Sequence, residues 1–169
     1  MRDRYPIHFD DCHDSIGSIV SKNTIRKSKQ RCVVLHATNH VLIEGNVAYD
    51  NAGHCFALEG GMEYGNVFDH NLGAYTRKVG TTMPQMGVSG KETDDTPATF
   101  WITNPLNKWS GNVATGSESY GFWVQLRKAS RGPHASEALV KPDNTVLELF
   151  QDNVAHSVNR AAMKVTGYH

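Results

Sequence analysis

Apolar residues alternate with other residues in short runs along this chain, and two of the runs are copies of one another. Residues 32–36 (Cys-Val-Val-Leu-His) and 55–59 (Cys-Phe-Ala-Leu-Glu) begin 23 positions apart, and each ends in an ionisable side chain. A period of two is typical of β-strands, because successive side chains point to opposite faces. A strand that returns after about 20 residues predicts a coil repeated along an axis.

A second repeat consists of an Asn followed by apolar or small residues, a turn and another short strand. It begins at Asn23, Asn46, Asn66, Asn112 and Asn153, and the first three are 23 and 20 residues apart. In stacked coils, equivalent residues lie about 4.8 Å apart, so each Asn can hydrogen-bond to its copies above and below. The two repeats predict an all-β fold, a parallel β-helix formed by residues 1–169 as a single segment.

The inward positions of the predicted strands are apolar. Phe9, Leu35, Leu58 and Val124 are expected to form a continuous core, and burial of each side chain contributes about 1.5–3 kcal/mol. A β-sandwich or a closed barrel is the alternative all-β fold. Asn-Gly or Asp-Gly hairpin turns would support that alternative, and the sequence contains neither dipeptide.

Two stretches interrupt the repeats and are predicted to be loop excursions. Residues 76–99 are rich in Gly, Thr, Met, Asp and Pro without a pattern, which is long for a simple connection, so they predict a flexible excursion or a lid over a groove. Residues 128–145 form the second excursion. Within it, residues 135–140 can support a helical turn or two, which Pro142 would end.

The formal net charge is zero and the isoelectric point is about 7.1, so no global field favours nucleic acid or an anionic membrane as a partner. We expect no nucleic-acid partner. The N-terminus has no apolar signal region, and no apolar run approaches the roughly 18 residues of a membrane helix. One local cluster of cations is predicted to be a solvated rim, with contact to a polyanion as the alternative: Lys22, Arg26, Lys27, Lys29 and Arg31.

The three cysteines, Cys12, Cys32 and Cys55, are few and odd in number, which does not indicate a disulfide framework. Their spacing does not match a zinc site. Because Cys32 and Cys55 share a repeat position, we expect them to stack as buried thiols. A disulfide between neighbouring coils is the alternative that the geometry of stacked strands allows.

Alignment of the repeated strands places Asp10, His36 and Glu59 in one outward column on three successive coils, about 5 Å apart. Two carboxylates beside an imidazole favour its charged form, and the set could act as acid and base on a glycosidic bond. Asp10 and Glu59 would be about 9.6 Å apart, at the upper limit for inverting glycosidases and outside the retaining range. The alternative is a ladder of polar surface residues without catalytic function.

Four further side chains are candidate substrate-binding residues: His8, His54, Tyr64 and Trp123. Aromatic rings can provide a stacking platform for sugars, and Trp123 falls in the outward set of its strand, so we expect it to be exposed. His54 starts a strand, where a His commonly bonds to the backbone instead.

No metal ligands are assigned. Asp50, Glu63 and Asp69 are expected to be turn or rim carboxylates, which makes Ca²⁺ a candidate ligand, although no run has a recognised calcium spacing.

Ordered motifs extend through most of the chain, in residues 5–9, 31–33, 53–59, 68–73, 99–105 and 114–123. With these motifs the chain resembles the β-helix of the cell-migration-inducing hyaluronidases, a group that includes the transmembrane hyaluronidase and, more distantly, the fibrocystin-like proteins. The resemblance implies a right-handed, pectin-lyase-like solenoid and a carbohydrate-active module for hyaluronan-like polysaccharide. If active, the module would be a glycosidase. The resemblance also implies an extracellular or cell-surface location.

Members of that family are much longer, so we expect this chain to be a slice of a larger protein with upstream coils or domains as partners. One departure from the family pattern falls in the candidate column. Where the family usually has a second His after Ile-His-Phe, this chain has Asp10. The substitution favours the alternative of a non-catalytic adhesive or scaffold module, or an inactive fragment.

Overall fold

The computed structural model describes residues 5–79, 94–131, 135–139 and 141–167, and these residues form three parallel β-sheets. The first sheet contains β1 (Ile7–Asp14), β4 (Val33–Asn39), β7 (Phe56–Leu58), β10 (Ala98–Ile102), β13 (Tyr120–Leu126) and β16 (Ala161–Gly167). The second contains β2 (Ile19–Ser21), β5 (Leu42–Glu44), β8 (Val67–Asp69), β11 (Lys108–Ser110) and β14 (Leu149–Gln151). The third contains β3 (Thr24–Arg26), β6 (Val47–Ala52), β9 (Leu72–Arg77), β12 (Val113–Thr115) and β15 (Val154–His156).

Each sheet takes every third strand, so the chain visits the three sheets in turn and stacks each coil on the one before. The first sheet has the order β1-β4-β7-β10-β13-β16. The predicted parallel β-helix is therefore confirmed.

The core runs along the axis between the three sheets. Phe9 pairs with Leu35, and Leu35 pairs with Leu58. Leu35, Leu58 and Val124 are buried, and Phe9 packs against the same cluster while partly buried. Phe56, Phe100 and Phe122 stack in a column with ring centroids 4.9 and 4.8 Å apart. The predicted inward series is confirmed.

An Asn ladder lines one corner of the solenoid, just ahead of the third sheet. Asn46 donates from its side-chain nitrogen to the side-chain oxygen of Asn71 at 2.9 Å, and Asn71 donates in the same way to Asn112 at 3.0 Å. Asn23 and Asn153 form the two ends. The prediction was wrong about Asn66, which stands ahead of the second sheet and bonds to Asn107 in a separate ladder at 3.0 Å.

Cys32 and Cys55 form a disulfide that joins two neighbouring coils at the starts of β4 and β7. The expectation of buried thiols is wrong, because stacking at one repeat position brings the two Cα atoms to 4.5 Å, within bonding reach. A cross-link across 23 residues stabilises the fold by about 3 kcal/mol in the chain-entropy account. Cys12 is a free, exposed thiol.

The predicted bounds of both excursions need correction. Thr76 belongs to β9 and Thr99 to β10, and their hydroxyls form a hydrogen bond of 2.9 Å. Because each strand has a polar residue at this buried position, the sequence pattern did not predict that the two residues belong to strands. Most of this excursion, residues 80–93, lies outside the described residues. The predicted flexible excursion or lid falls on these residues. The second excursion contains two 3₁₀ turns, Ala135–Glu137 and Pro142–Asn144, so Pro142 begins the second turn instead of ending a helix.

Across the described ranges, no helix has the length and apolar character needed to span a membrane.

Candidate functional site

The predicted column lies on the outer face of the first sheet. Asp10 and His36 are directly paired on β1 and β4, and the Nδ1 atom of His36 is 2.8 Å from the Oδ1 atom of Asp10. Glu59 follows β7, and its backbone N–H donates to the carbonyl of Leu35 at 3.0 Å, which places it beside His36 on the next coil. The side chains of Asp10, His36 and Glu59 are 55%, 22% and 20% exposed. The column is thus exposed at Asp10 and partly buried at His36 and Glu59.

The backbone beside the column departs from regular strand geometry. The β1–β4 register shifts between Asp10 and His13, and Asp11, His13 and Ala37 have φ angles of 58°, 52° and 46°. Such bulges re-aim side chains, and left-handed non-glycine residues are costly and concentrate at functional sites. The regular pairing of β1 and β4 is therefore interrupted directly after the column.

Glu63 lies fully buried behind His36 and was not expected there, since the sequence suggested a rim carboxylate. Its Oε1 atom accepts from the backbone N–H of Ala37 at 3.1 Å and of Gly60 at 2.9 Å, and its Oε2 atom accepts from Gly61 at 2.8 Å. Burial raises the pKa of Glu63, and the donated backbone bonds oppose that shift. In the sequence, the Gly60-Gly61 pair is the feature that could have indicated a buried Glu63. A Cβ on Gly60 would lie 2.9 Å from the Oε1 atom of Glu63, so only glycine leaves room for the carboxylate.

His36 combines partial burial with acidic neighbours. Burial alone lowers the pKa of an imidazole, but the hydrogen bond to Asp10 and the charges of Glu59 and Glu63 outweigh it. The pKa of His36 therefore lies above its ordinary value. With Nδ1 held by Asp10, the Nε2 atom is the position from which His36 can donate to a ligand.

The prediction of a solvated cationic rim is wrong for Arg31, because its side chain is wholly buried beneath the outer face. Its Nη1 atom is 3.1 Å from Oε1 of Glu59, and its Nη2 atom is 3.2 Å from Oδ2 of Asp94. The guanidinium also lies 5.1 Å from the ring centroid of Tyr5 and 5.4 Å from that of Trp101. Arg31 thus ties Glu59 of the column to a carboxylate from the other end of the first excursion. No sequence pattern distinguished Asp94 from its neighbours.

His54 is buried and makes no surface available to a ligand. Its Nδ1 atom accepts from the backbone N–H of Ala98 at 3.0 Å, and its ring stacks on Trp101 at 4.3 Å. Burial lowers the pKa of His54 to about 3, so the ring is neutral at physiological pH. The expectation that His54 binds substrate is wrong on this geometry.

Trp123 is also buried, with 5% of its surface exposed. A second apolar cluster covers the outer face of the first sheet beside the column and comprises Tyr5, Val34, Ala57, Ala98, Trp101, Tyr120 and Trp123. The indole Nε1 atom donates to Thr166 at 2.9 Å, and the Lys164 Nζ atom lies 4.2 Å from the ring centroid. The expectation of an exposed Trp123 is wrong, because an outward position in a strand can still be covered by other segments.

His8 and Tyr64 lie near the column at different ends. His8 shares the outer face, with its Nε2 atom 4.0 Å from the Oδ1 atom of Asp10. Tyr64 packs edge-on against His40 at 5.1 Å, and His40 forms its own bond to Asp14 at 2.7 Å. Tyr64 therefore belongs to a second Asp–His pair. Substrate contact by either residue stays a prediction.

The three carboxylates considered for Ca²⁺ do not converge. Asp50 pairs with Arg77, Asp69 pairs with His70 at 2.9 Å, and Glu63 is buried. Within the part of the chain that the structure describes, no group of three or more His, Cys, Asp or Glu side chains is arranged to hold a metal ion.

Comparison with known proteins identifies relatives of the whole solenoid. Residues 1–163 match the family described as CEMIP beta-helix. Cell surface hyaluronidase CEMIP2 of Homo sapiens is 34% identical over 185 residues, which covers 95% of this chain and 13% of that protein. Cell surface hyaluronidase of Danio rerio is 35% identical over the same coverage, and Fibrocystin-L of Mus musculus is 34% identical over 91% of this chain. This chain spans 13% of each hyaluronidase and 3% of Fibrocystin-L.

Proposed function

This chain belongs to the CEMIP beta-helix family, and from that membership we propose that its exposed column binds an acidic linear polysaccharide of the hyaluronan type. The observation that carries the proposal is the hydrogen-bonded pair of Asp10 and His36, with Glu59 on the next coil, on an open face. Two of the relatives are named as cell surface hyaluronidases.

In the proposed site, His36 supplies the positive charge. Its pKa is raised, so the protonated ring persists to a higher pH than an ordinary imidazole and can donate from Nε2 to a sugar oxygen or a carboxylate. Arg31 partly neutralises Glu59 at 3.1 Å, which reduces the repulsion that an acidic column would exert on a polyanion.

The same residues define the proposed chemistry if the module is a glycosidase. His36, oriented by Asp10, would donate a proton to the leaving oxygen, and a carboxylate of the column would activate water from the opposite face of the sugar ring.

A non-catalytic scaffold is the second candidate function, and one contact favours it. Glu59 is held by the buried Arg31, which also holds Asp94 at 3.2 Å, so its carboxylate contributes to a structural ion-pair network. A group fixed in this way is less free to act as a base than an exposed carboxylate. The scaffold hypothesis predicts polysaccharide binding without turnover.

We propose an extracellular or cell-surface location for this module. The Cys32–Cys55 disulfide supports it, because disulfides persist in oxidising compartments. The names of the hyaluronidase relatives point to the same location. Other regions of longer proteins of this family are the proposed partners of the module.

The test is a turnover and binding assay on size-defined hyaluronan, with and without Ca²⁺, after circular dichroism has confirmed the β-fold. The proposed glycosidase generates new reducing ends, and His36→Ala and Asp10→Asn each reduce the rate at least about 100-fold, the usual loss on removing acid–base catalysis. His40→Ala removes the imidazole of the neighbouring Asp–His pair and serves as the matched control with an unchanged rate.

Binding without turnover supports the scaffold function and rules out the glycosidase. Absence of both binding and turnover by the folded wild-type chain contradicts the proposed function.

A further inference from the structure

A cleft separate from the column opens where the third sheet ends and the chain turns toward the next strand of the first sheet. Five residues line it: Lys27, Lys29, Asp50, Tyr75 and Arg77. It is a shallow cleft of about 420 Å³ that is largely open to solvent. None of these residues takes part in the column, and two of them come from the cationic cluster noted in the sequence.

The repeat itself builds one wall of the cleft. Lys27, Asp50 and Tyr75 occupy equivalent positions on three successive coils, one residue after the paired residues Arg26, Tyr49 and Ala74. All three have left-handed backbones, with φ angles of 56°, 57° and 57°. The chain bends at these residues, so a cation, a carboxylate and an aromatic ring stack along the corner about 4.8 Å apart.

Arg77 is held in place by Asp50, the only carboxylate among the described residues that line the cleft. Its Nε atom donates to Oδ1 of Asp50, and its Nη2 atom donates to the carbonyl of Asp50 at 3.4 Å. A guanidinium has five N–H donors, so the Nη1 pair remains for a ligand. Within the described ranges, the Nη1 atom of Arg77 and the ammonium groups of Lys27 and Lys29 have no hydrogen-bond partner.

The cleft therefore has a net positive charge. Three cations face one carboxylate, in a chain whose formal net charge is zero. Tyr75 is 45% exposed, and Arg77 lies 5.9 Å from its ring centroid. An exposed ring beside oriented cations provides an apolar face for a sugar and charged donors for its acidic group.

We infer that this cleft binds the carboxylate of a uronate unit, at a second contact point on the polysaccharide that the column is proposed to bind. The inference rests on the proposed function for its biological ligand. Lys29 precedes His36 by seven residues, which limits the separation of their Cα atoms to about 25 Å. One linear polysaccharide of several sugar units could therefore contact both places.

The first experiment examines the cleft without the polymer. Glucuronate is titrated into the wild-type chain, and the ring resonances of Tyr75 and the Nε–H resonance of Arg77 are followed by NMR. We expect glucuronate to shift both resonances in a saturable manner, and we expect neutral glucose to leave them unchanged. Added salt should weaken the effect, because the contacts are exposed charges. Inorganic sulfate and a sulfated chondroitin oligosaccharide serve as the other anionic probes.

The second experiment measures the affinity of size-defined hyaluronan for charge-reversed variants. Lys27→Glu with Lys29→Glu should weaken binding about tenfold or more, since a charged hydrogen bond typically accounts for about that factor. Tyr75→Ala should weaken binding by a smaller factor. Lys22→Glu with Lys141→Glu changes the net charge equally at exposed sites outside the cleft and is the matched control, with affinity within about twofold of wild type.

The outcomes separate this inference from the proposed function. Glucuronate shifts at Tyr75 without any hyaluronan binding would support the cleft and contradict the polysaccharide function. Hyaluronan binding that the cleft and control variants weaken equally would overturn the cleft and leave the column. Absence of glucuronate shifts, or shifts with sulfate and the sulfated oligosaccharide alone, would overturn the uronate assignment.

Discussion

His36 lies in β4 and His54 lies two residues ahead of β7, and their surroundings move their pKa values in opposite directions. Burial dominates at His54 and lowers its pKa to about 3, whereas acidic neighbours outweigh burial at His36 and raise its pKa. The first ring is a neutral packing element that stacks on Trp101. The second is the titratable imidazole of the column, and its pKa is raised. At the scale of the residue, three carboxylates act on the His36 ring and one acts on the His54 ring. This difference distinguishes the candidate functional imidazole from the structural one.

Replacing Asp10 by Asn should lower the pKa of His36 toward its ordinary value, because the variant keeps an acceptor and removes the charge. NMR titration of the His36 ring measures the shift. A raised folded-state pKa stabilises the fold fully below the unfolded-state value, and this stabilisation is lost as pH rises through the folded value. Asp14→Asn, beside His40, is the control and should leave His36 unchanged. An equal effect of both variants would show that Asp10 has no special role.

His54 should make the fold sensitive to acid. Its folded-state pKa is about 3, so as pH falls below about 6.5 the unfolded chain binds a proton first and the free energy of unfolding decreases. His54→Asn keeps an acceptor for the Ala98 N–H and removes the titration. Urea unfolding between pH 7 and pH 4.5 should therefore show a steeper loss of stability in the wild type. Parallel pH profiles would be inconsistent with a buried neutral ring.

The sequence was sufficient to predict the column but not its surroundings. Strand alternation gives the face on which a side chain lies, and the register of two copies then places Asp10 beside His36. Alternation cannot show whether that face is covered. Tyr5 and Asp94, which are distant in sequence, bury Arg31 and change an expected rim residue into an interior one.

At the scale of the element, the Asn ladder holds one coil on the next. Asn71 is 1% exposed, donates to Asn112 and to the carbonyl of Ile43, and accepts from Asn46. The strands of the third sheet contain only three or six residues, so they form few backbone hydrogen bonds. The ladder adds side-chain hydrogen bonds between the coils. The ladder was predictable because equivalent residues stack. Asn66 was misplaced because both ladders use an Asn directly ahead of a short strand.

Asn71→Ala should reduce the free energy of unfolding by roughly 2–4 kcal/mol, since it removes a partner from the Asn46 backbone N–H and the Ile43 carbonyl and one hydrogen bond from each neighbouring Asn side chain. Asn23→Ala removes the same side chain at the exposed end of the ladder and should reduce it by roughly 1 kcal/mol. Urea denaturation measures both values. Equal losses would mean that burial does not set the strength of the ladder.

At the scale of the whole molecule, stacking turns short motifs into two proposed recognition surfaces along one solenoid. The column lies on the outer face of the first sheet, and the cleft lies at the corner where the third sheet ends. The repeats predicted this solenoid, because each coil buries its apolar face only against its neighbours. They could not predict the cleft, which depends on the left-handed corner residues and on the way Asp50 orients Arg77.

The pH dependence of hyaluronan affinity is the most direct test of the column as a polysaccharide site. The affinity of the wild-type chain for a size-defined hyaluronan should decrease by up to about tenfold as pH rises through the raised pKa of His36, because the loss of its charge removes one charged hydrogen bond. His36→Ala should bind weakly at every pH without this decrease, and His40→Ala should retain it. Identical profiles for the wild type and His36→Ala, or no binding at any pH, would contradict the proposed function.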